Sequence, residues 1–243
     1  MRVLLVNKYW YPRGGSERVL FATKDALEKA GHTTFAFGME HPDNIVAPGF
    51  FLPEIDYRKT HGLSAVWLGM RSIYNREAKK AFLRVIDEFK PDLIHFHNIY
   101  HQLSFSLVVA AKLRGIPTVM TLHDYKLISP NYTLFHHGQV SEESVGGAYY
   151  KTFLNNAMES WPKSFFATIE AYLRRWRGWS QKIDHCISPS LFLKNKFVSV
   201  GYKPESITVL RNPIDANAYV PRYDDDGYVV YAGRFSNEKG IET

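Results

Sequence analysis

Three short polar clusters combine residue types that bind anions or sugars: Gly14-Gly15-Ser16-Glu17, His97-Asn98 and His123-Asp124. A glycine pair ahead of a helix offers bare backbone N–H groups at the positive end of the helix dipole, which suits a phosphate. Gly14 and Gly15 also let a ligand approach the backbone closely, and Glu17 in the first turn can accept hydrogen bonds from hydroxyls. Asn98 can contact a sugar or an acceptor. His123 and Asp124 stand side by side, where Asp124 can orient His123 or a hydroxyl. The spacing is not Gly-x-Gly-x-x-Gly, so a dinucleotide fingerprint is not supported, and an ordinary strand-to-helix loop fits the same glycines.

A metal site is an alternative reading. His95 and His97 are two apart on a strand and point the same way, and His101, His123, Asp124, His136 and His137 could gather near them. No helical ligand pair of the HExxH kind is present, and His95 can equally pack or hydrogen-bond inside a sheet.

The elements that must position these clusters follow from the apolar pattern. Val3 to Val6 is too short for a helix and reads as a buried strand of a parallel sheet. Ser16 can cap a helix carrying Val19, Leu20, Thr23, Ala26 and Leu27, which Gly31 ends. Thr33 to Gly38 is a second strand, His41 to Gly62 a loop, and Leu63 to Lys90 one helix whose outer face carries Arg71, Arg76, Lys79, Lys80 and Arg84. Strands are expected at Leu93 to His97, Pro117 to Leu122, Ile183 to Ser188 and Ile207 to Leu210, with helices at Ser104 to Arg114 and Leu191 to Val200. Ser141 to Trp161 has no period and reads as an insertion or mobile loop. The repeated strand–helix–strand order predicts a doubly wound, Rossmann-like α/β domain, whose ligands bind at the carboxyl ends of its strands. All three polar clusters fall there.

Phe165, Ile169, Tyr172, Trp176 and Trp179 recur at helical spacing, accompanied by Arg174, Arg175, Arg177 and Lys182. The stripe reads first as core-facing. Its alternative is a surface that settles on anionic lipid.

Composition bounds the partners. The 243 residues carry a net charge of +6, which favours an anionic partner. No RNA-binding aromatic signature and no contiguous basic run of about five or more residues supports nucleic acid. No apolar run is long enough to span a bilayer, and the single cysteine, Cys186, fits a reducing cytosol. The protein is therefore expected in the cytoplasm, with peripheral contact on the inner face of the membrane as an option.

Residues 1–210 make up the expected first domain, 211–221 a linker, and 222–243 the start of a second domain. Tyr228 to Ala232 reads as a new strand, and Glu238-Lys239-Gly240 opens a helix. A strand left without cover on its second face implies that the sequence is the front part of a longer protein.

With these residues in place, the chain resembles the retaining GT-B glycosyltransferases of family 4 along its whole length. The likeness rests on Gly14-Gly15-Ser16-Glu17, Pro91-Asp92-Leu93-Ile94-His95-Phe96-His97, Thr121-Leu122-His123-Asp124, Ser188-Pro189-Ser190, Asn212-Pro213-Ile214-Asp215, and the run from Tyr231 through Gly240. It implies two Rossmann-like domains facing across a cleft, the second truncated here, and a nucleotide diphosphate sugar as donor. The acceptor would be a glycan or lipid-linked hydroxyl, and no metal or other cofactor is expected. By the same resemblance Gly14 and Gly15 lie by the donor phosphates or transferred sugar, His123 contacts that sugar, and Arg234 and Lys239 bind the diphosphate. Two features depart from the family: Asn-Pro-Ile-Asp stands where Asn-Gly-Val-Asp is commoner, and the second domain's acidic motif would lie past Thr243. The fragment alone is thus expected to be inactive.

The chemistry suits these residue types independently. Breaking a sugar–phosphate bond develops negative charge on the diphosphate, which Arg234, Lys239 and helix N-termini can meet as a metal ion does elsewhere. A GT-B-like sugar-nucleotide epimerase or hydrolase, and a non-catalytic nucleotide- or glycan-binding module, remain as rival readings.

Overall fold

The computed structural model describes residues 1–55, 63–214, 219–221, 223–224, 227–233, 235–236 and 239–240. Its centre is a seven-stranded sheet in the order β3-β2-β1-β4-β5-β8-β9. The strands are β1 (Arg2–Val6), β2 (Thr33–Met39), β3 (Gly49–Leu52), β4 (Leu93–Phe96), β5 (Thr118–Thr121), β8 (His185–Ser188) and β9 (Ile207–Val209), every pairing parallel. A separate hairpin pairs β6 (Phe135–His136) with β7 (Gln139–Val140). Its two-residue turn, His137-Gly138, has positive φ at both positions, the backbone such hairpins need.

The sheet is apolar on both faces because helices cover both. Leu4 and Val6 point into the larger core, with Phe37, Phe82, Phe96, Leu107 and Phe197. Val3 and Leu5 point the other way, into a smaller core with Trp10, Leu20 and Ala36. This alternation along β1 assigns α1 (Gly15–Lys29) to one face, and α3 (Arg76–Phe89), α4 (Ser106–Leu113) and α7 (Leu191–Val198) to the other. Strand order reverses between β1 and β4, which opens a crevice at their carboxyl ends.

Several elements differ from the sequence expectation. The stretch read as one helix is two, α2 (Leu63–Ile73) and α3, because the Asn75 side chain accepts a hydrogen bond from Ala78 N at 2.9 Å and restarts the helix. The loop read over His41 to Gly62 contains edge strand β3, which pairs with β2, while residues 56–62 lie outside the described residues. Helix α1 begins at Gly15 with Gly14 as its N-cap, so Ser16 is inside the first turn and caps nothing. The segment read as an aperiodic insertion holds a short helix, α5 (Tyr150–Leu154).

The aromatic stripe lies mostly on α6 (Trp161–Trp176), and there the core-facing reading fails for Phe165, Tyr172 and Trp176, while Ile169 is half-buried and Trp179, just beyond the helix, packs against the larger core. The buried face is made of Ser164, Ala167, Thr168, Glu170, Ala171 and Arg174, while Phe165, Tyr172 and Trp176 are exposed. Small side chains let the helix approach the body of the protein closely, which turns the large rings outward. Residues 228–232, expected as a strand, form none: Val229 is fully exposed, and no neighbouring strand among the described residues takes its hydrogen bonds.

Candidate functional site

The three clusters come together at the carboxyl edge of β1, β4 and β5. Parallel pairing in register sets Val6 beside Phe96 and Phe96 beside Met120, so the residues that follow each strand emerge side by side. Asn7 joins the first two. Fully buried, it donates through Nδ2 to Tyr9 O at 2.6 Å and, more loosely, to Glu17 Oε1 at 3.4 Å, and its Oδ1 accepts from Asn98 N at 2.9 Å. Lys8 N donates to Asn98 O at 3.0 Å. One buried side chain thus ties the loop after β1, the first turn of α1 and the loop after β4.

At the second junction His97 Nδ1 and His123 Nε2 share a hydrogen bond of 3.0 Å, and their rings stack with centroids 5.2 Å apart. The His95 ring stacks on His97 at 4.5 Å, and its Nε2 meets Thr121 Oγ1 at 2.8 Å. Burial pushes His95 and His123 down to about 4, and His97 lies well below the ordinary imidazole range for the same reason, with His95 next. All three rings are neutral at physiological pH. His123 Nε2 is engaged by His97, so Nδ1 is the ring nitrogen left for a ligand.

Asp124 makes no hydrogen bond to His123. Its Oδ1 accepts from Lys126 N at 2.9 Å, and burial raises its carboxyl to about 6, against the pull of that hydrogen bond and of Lys126 and Lys8. Burial in turn lowers the Lys8 ammonium, which Asp124 and Glu17 partly restore and Arg13 opposes. Lys8 therefore lies within electrostatic reach of both the glycine loop and the β5 loop. It and Asn7 are the site residues that motif reading passed over. Their position directly after the first buried strand was the available signal.

Gly14 and Gly15 are exposed, and a Cβ added at Gly15 would meet nothing within 4 Å. Packing within the chain does not require that glycine. Glu17 is buried, and its Oε1 receives the long 3.4 Å contact from Asn7 Nδ2. Lys239 is exposed, and Arg234 lies outside the described residues. The set His95, His97, His101, His123, Asp124, His136 and His137 does not converge: His137 sits in the hairpin turn and contacts Asn155 O at 3.0 Å. Among the described residues no group of His, Cys, Asp or Glu is arranged to hold a metal ion.

The loop after β5 is braced from behind. Arg174 of α6 is buried and donates to Leu127 O, to Lys126 O at 3.0 Å and to Ser180 Oγ at 3.0 Å. Glu170 lies 3.1 Å from Arg174 Nε and 2.9 Å from Lys126 Nζ, and these two cations hold its carboxyl below the usual range despite burial. His123 and Asp124 are thus presented by a loop clamped through a buried charge triad.

The family model described as Glycosyltransferase Family 4 matches residues 13–218. A Klebsiella pneumoniae protein described as an uncharacterized 42.6 kDa protein in a cps region is 24% identical over 258 aligned residues, covering 100% of this chain and 63% of its own length. Among solved structures, the Neisseria meningitidis UDP-GlcNAc 2-epimerase bound to UDP-GlcNAc is similar over 86% of this chain and 45% of its own, at 15% identity and TM-score 0.49. Acinetobacter baumannii MurG is similar over 90% of this chain and 47% of its own, at 12% identity and TM-score 0.45. The chain spans less than two thirds of the length of each of these relatives.

Proposed function

The chain belongs to glycosyltransferase family 4, and from that premise we propose that the intact protein moves a sugar from a nucleotide diphosphate sugar to a hydroxyl of a glycan or lipid-linked acceptor, with retention of configuration and without a metal. The observation that carries this reading is the linkage at one sheet edge of the glycine loop, through Asn7, Asn98 and Lys8, to the His97–His123 pair and Asp124.

The chemistry runs as follows. The first-turn N–H groups of α1, beside Arg13 and Lys8, attract the donor phosphates, and the N-cap Gly14 spends no side chain on those donors. As the sugar–phosphate bond breaks, positive charge builds on the ring. A neutral His123 presents Nδ1 to the sugar without repelling that charge, and an ionised Asp124 favours it electrostatically. Arg234 and Lys239 are proposed to complete the diphosphate site, with most of the donor-binding surface contributed by a second domain. A setting in polysaccharide assembly is part of the same proposal, in keeping with the cps-region relative, and a cytoplasmic location is proposed with it.

The test is His123→Ala in the intact protein. Transfer is expected to fall by a factor of 100 or more, on the order of one lost transition-state contact, while the melting temperature holds. Unchanged turnover would remove His123 from the chemistry. Product analysis with and without acceptor separates transfer from epimerisation or hydrolysis, the anomeric configuration of the product checks retention, and excess chelator is expected to leave the rate unchanged.

A further inference from the structure

We propose that α2, α5 and α6 together form a docking face for a bilayer rich in anionic phospholipid. The three helices make one surface. Gly69 of α2 leaves room for the Phe166 ring of α6, and a Cβ there would collide with it. On the other flank, Phe153 of α5 packs its ring 5.5 Å from Trp161 and 5.8 Å from Phe165. The outward residues are large and apolar: Trp67 and Met70 on α2, Leu154 on α5, and Trp161, Phe165 and Trp176 on α6, the last 75% exposed. Contiguous exposure of this kind marks a partner surface.

Charge identifies the partner. Apart from Glu170, which is buried, every charged residue in these helices is basic: Arg71, Lys151, Lys163, Arg174 and Arg175. Of these Arg174 is turned inward, Arg71 is 18% exposed and paired with Glu77 of α3, Lys151 lies 4.0 Å from Glu143 and Arg175 donates to Gly146 O, so Lys163, with Arg177 just beyond α6, is the cation these contacts leave for a partner. Arg177 follows directly, with its guanidinium 4.8 Å from the Trp176 ring, and Arg71 lies 5.2 Å from the Trp67 ring. Tryptophans beside cations, with an apolar body between, match the headgroup boundary of an anionic leaflet. Among the described residues no helix is long and apolar enough to cross a membrane, so the contact is peripheral. The inner face of the same α6 clamps the loop bearing His123 and Asp124 through Arg174. Docking would therefore hold that loop one helix thickness, about 10–12 Å, from the lipid surface, where the headgroup of a lipid-linked acceptor is met.

The docking itself does not depend on the sugar-transfer reading, although its link to a lipid-linked acceptor rests on it, and the test uses no turnover. The full chain is mixed with vesicles of phosphatidylcholine alone or phosphatidylcholine with phosphatidylglycerol, and co-sedimentation and tryptophan emission are recorded across ionic strength. Binding is expected only with the anionic lipid, with a blue shift, weakening as salt rises. Lys163→Ala and Arg177→Ala should each lower the partition coefficient roughly fivefold, and Trp161→Ser with Trp176→Ser on the order of tenfold or more. All four positions are exposed, so circular dichroism should be unchanged. No binding to anionic vesicles, binding indifferent to these substitutions, or a chain that self-associates through the face and dissociates on Trp176→Ser would each overturn the proposal.

Discussion

His97 and His123 form a pair whose properties come from the dryness of its surroundings. Burial holds His95 and His123 near 4, lowers His97 well below the ordinary value and takes His101 to about 3. The unfolded chain protonates each of these rings near 6.5 while the folded one does not, so the unfolded state binds more protons as pH falls from about 6.5 toward 4. Their contribution to stability is complete above that window and is lost within it. Asp124 works in the opposite sense, since its folded carboxyl near 6 takes up a proton before the unfolded one does. Four histidines outweigh one carboxyl. The melting temperature should therefore fall on acidification from pH 7 to pH 5, more steeply than in a His97→Gln variant, and a flat profile would contradict the burial assigned to these rings. His123 and Asp124 stood out in sequence as polar residues directly after an apolar run, and Gly14 and Gly15 as a glycine pair ahead of a helix. The His97–His123 contact was not, because it spans 26 residues and exists only through the parallel pairing of β4 with β5.

At the level of elements, α6 shows what periodicity tells and what it withholds. The recurrence of Phe165, Tyr172 and Trp176 correctly puts them on one face of a helix. Which way that face points depends on the opposite one, where Ala167 and Ala171 allow close packing and Glu170 and Arg174 find buried partners. The break between α2 and α3 escaped a pattern that runs on through residues 74 and 75, although an asparagine ahead of a basic, Glu-containing first turn is a local capping signal. A prediction belongs to α6 itself. Arg174→Met keeps the volume of the side chain but leaves Lys126 O and Leu127 O without their donor and Glu170 with Lys126 alone. Breaking a buried pair costs about 3 kcal/mol or more, roughly 6–12 °C in melting temperature for a domain this size. The exposed Arg177→Met should move it little. Turnover of the intact Arg174→Met protein well below its melting point should also fall, because the loop carrying His123 has lost its brace. A variant that melts early yet turns over normally would make Arg174 a stability residue only.

On the scale of the whole molecule, the buried apolar residues of both cores run from Val3 to Ile207. Beyond Leu210 the described residues are exposed apart from a half-buried Ser236, and Val220, Val229 and Phe235 present most of their side chains to solvent. Among the described residues the hydrophobic stabilisation thus lies within residues 1–210, the span proposed as the first domain, and the described residues of the tail add little area removed from water. That reasoning fixes the outcome of a deletion. A chain ending at Leu210 should melt within a few degrees of the 243-residue chain, cooperatively and with the same far-UV spectrum, since the described residues it removes are exposed. It should also keep its acid sensitivity, because every histidine behind that effect lies before residue 124. A large loss of stability would mean that residues 211–243 cover part of the sheet, and the domain boundary would have to move toward the C-terminus.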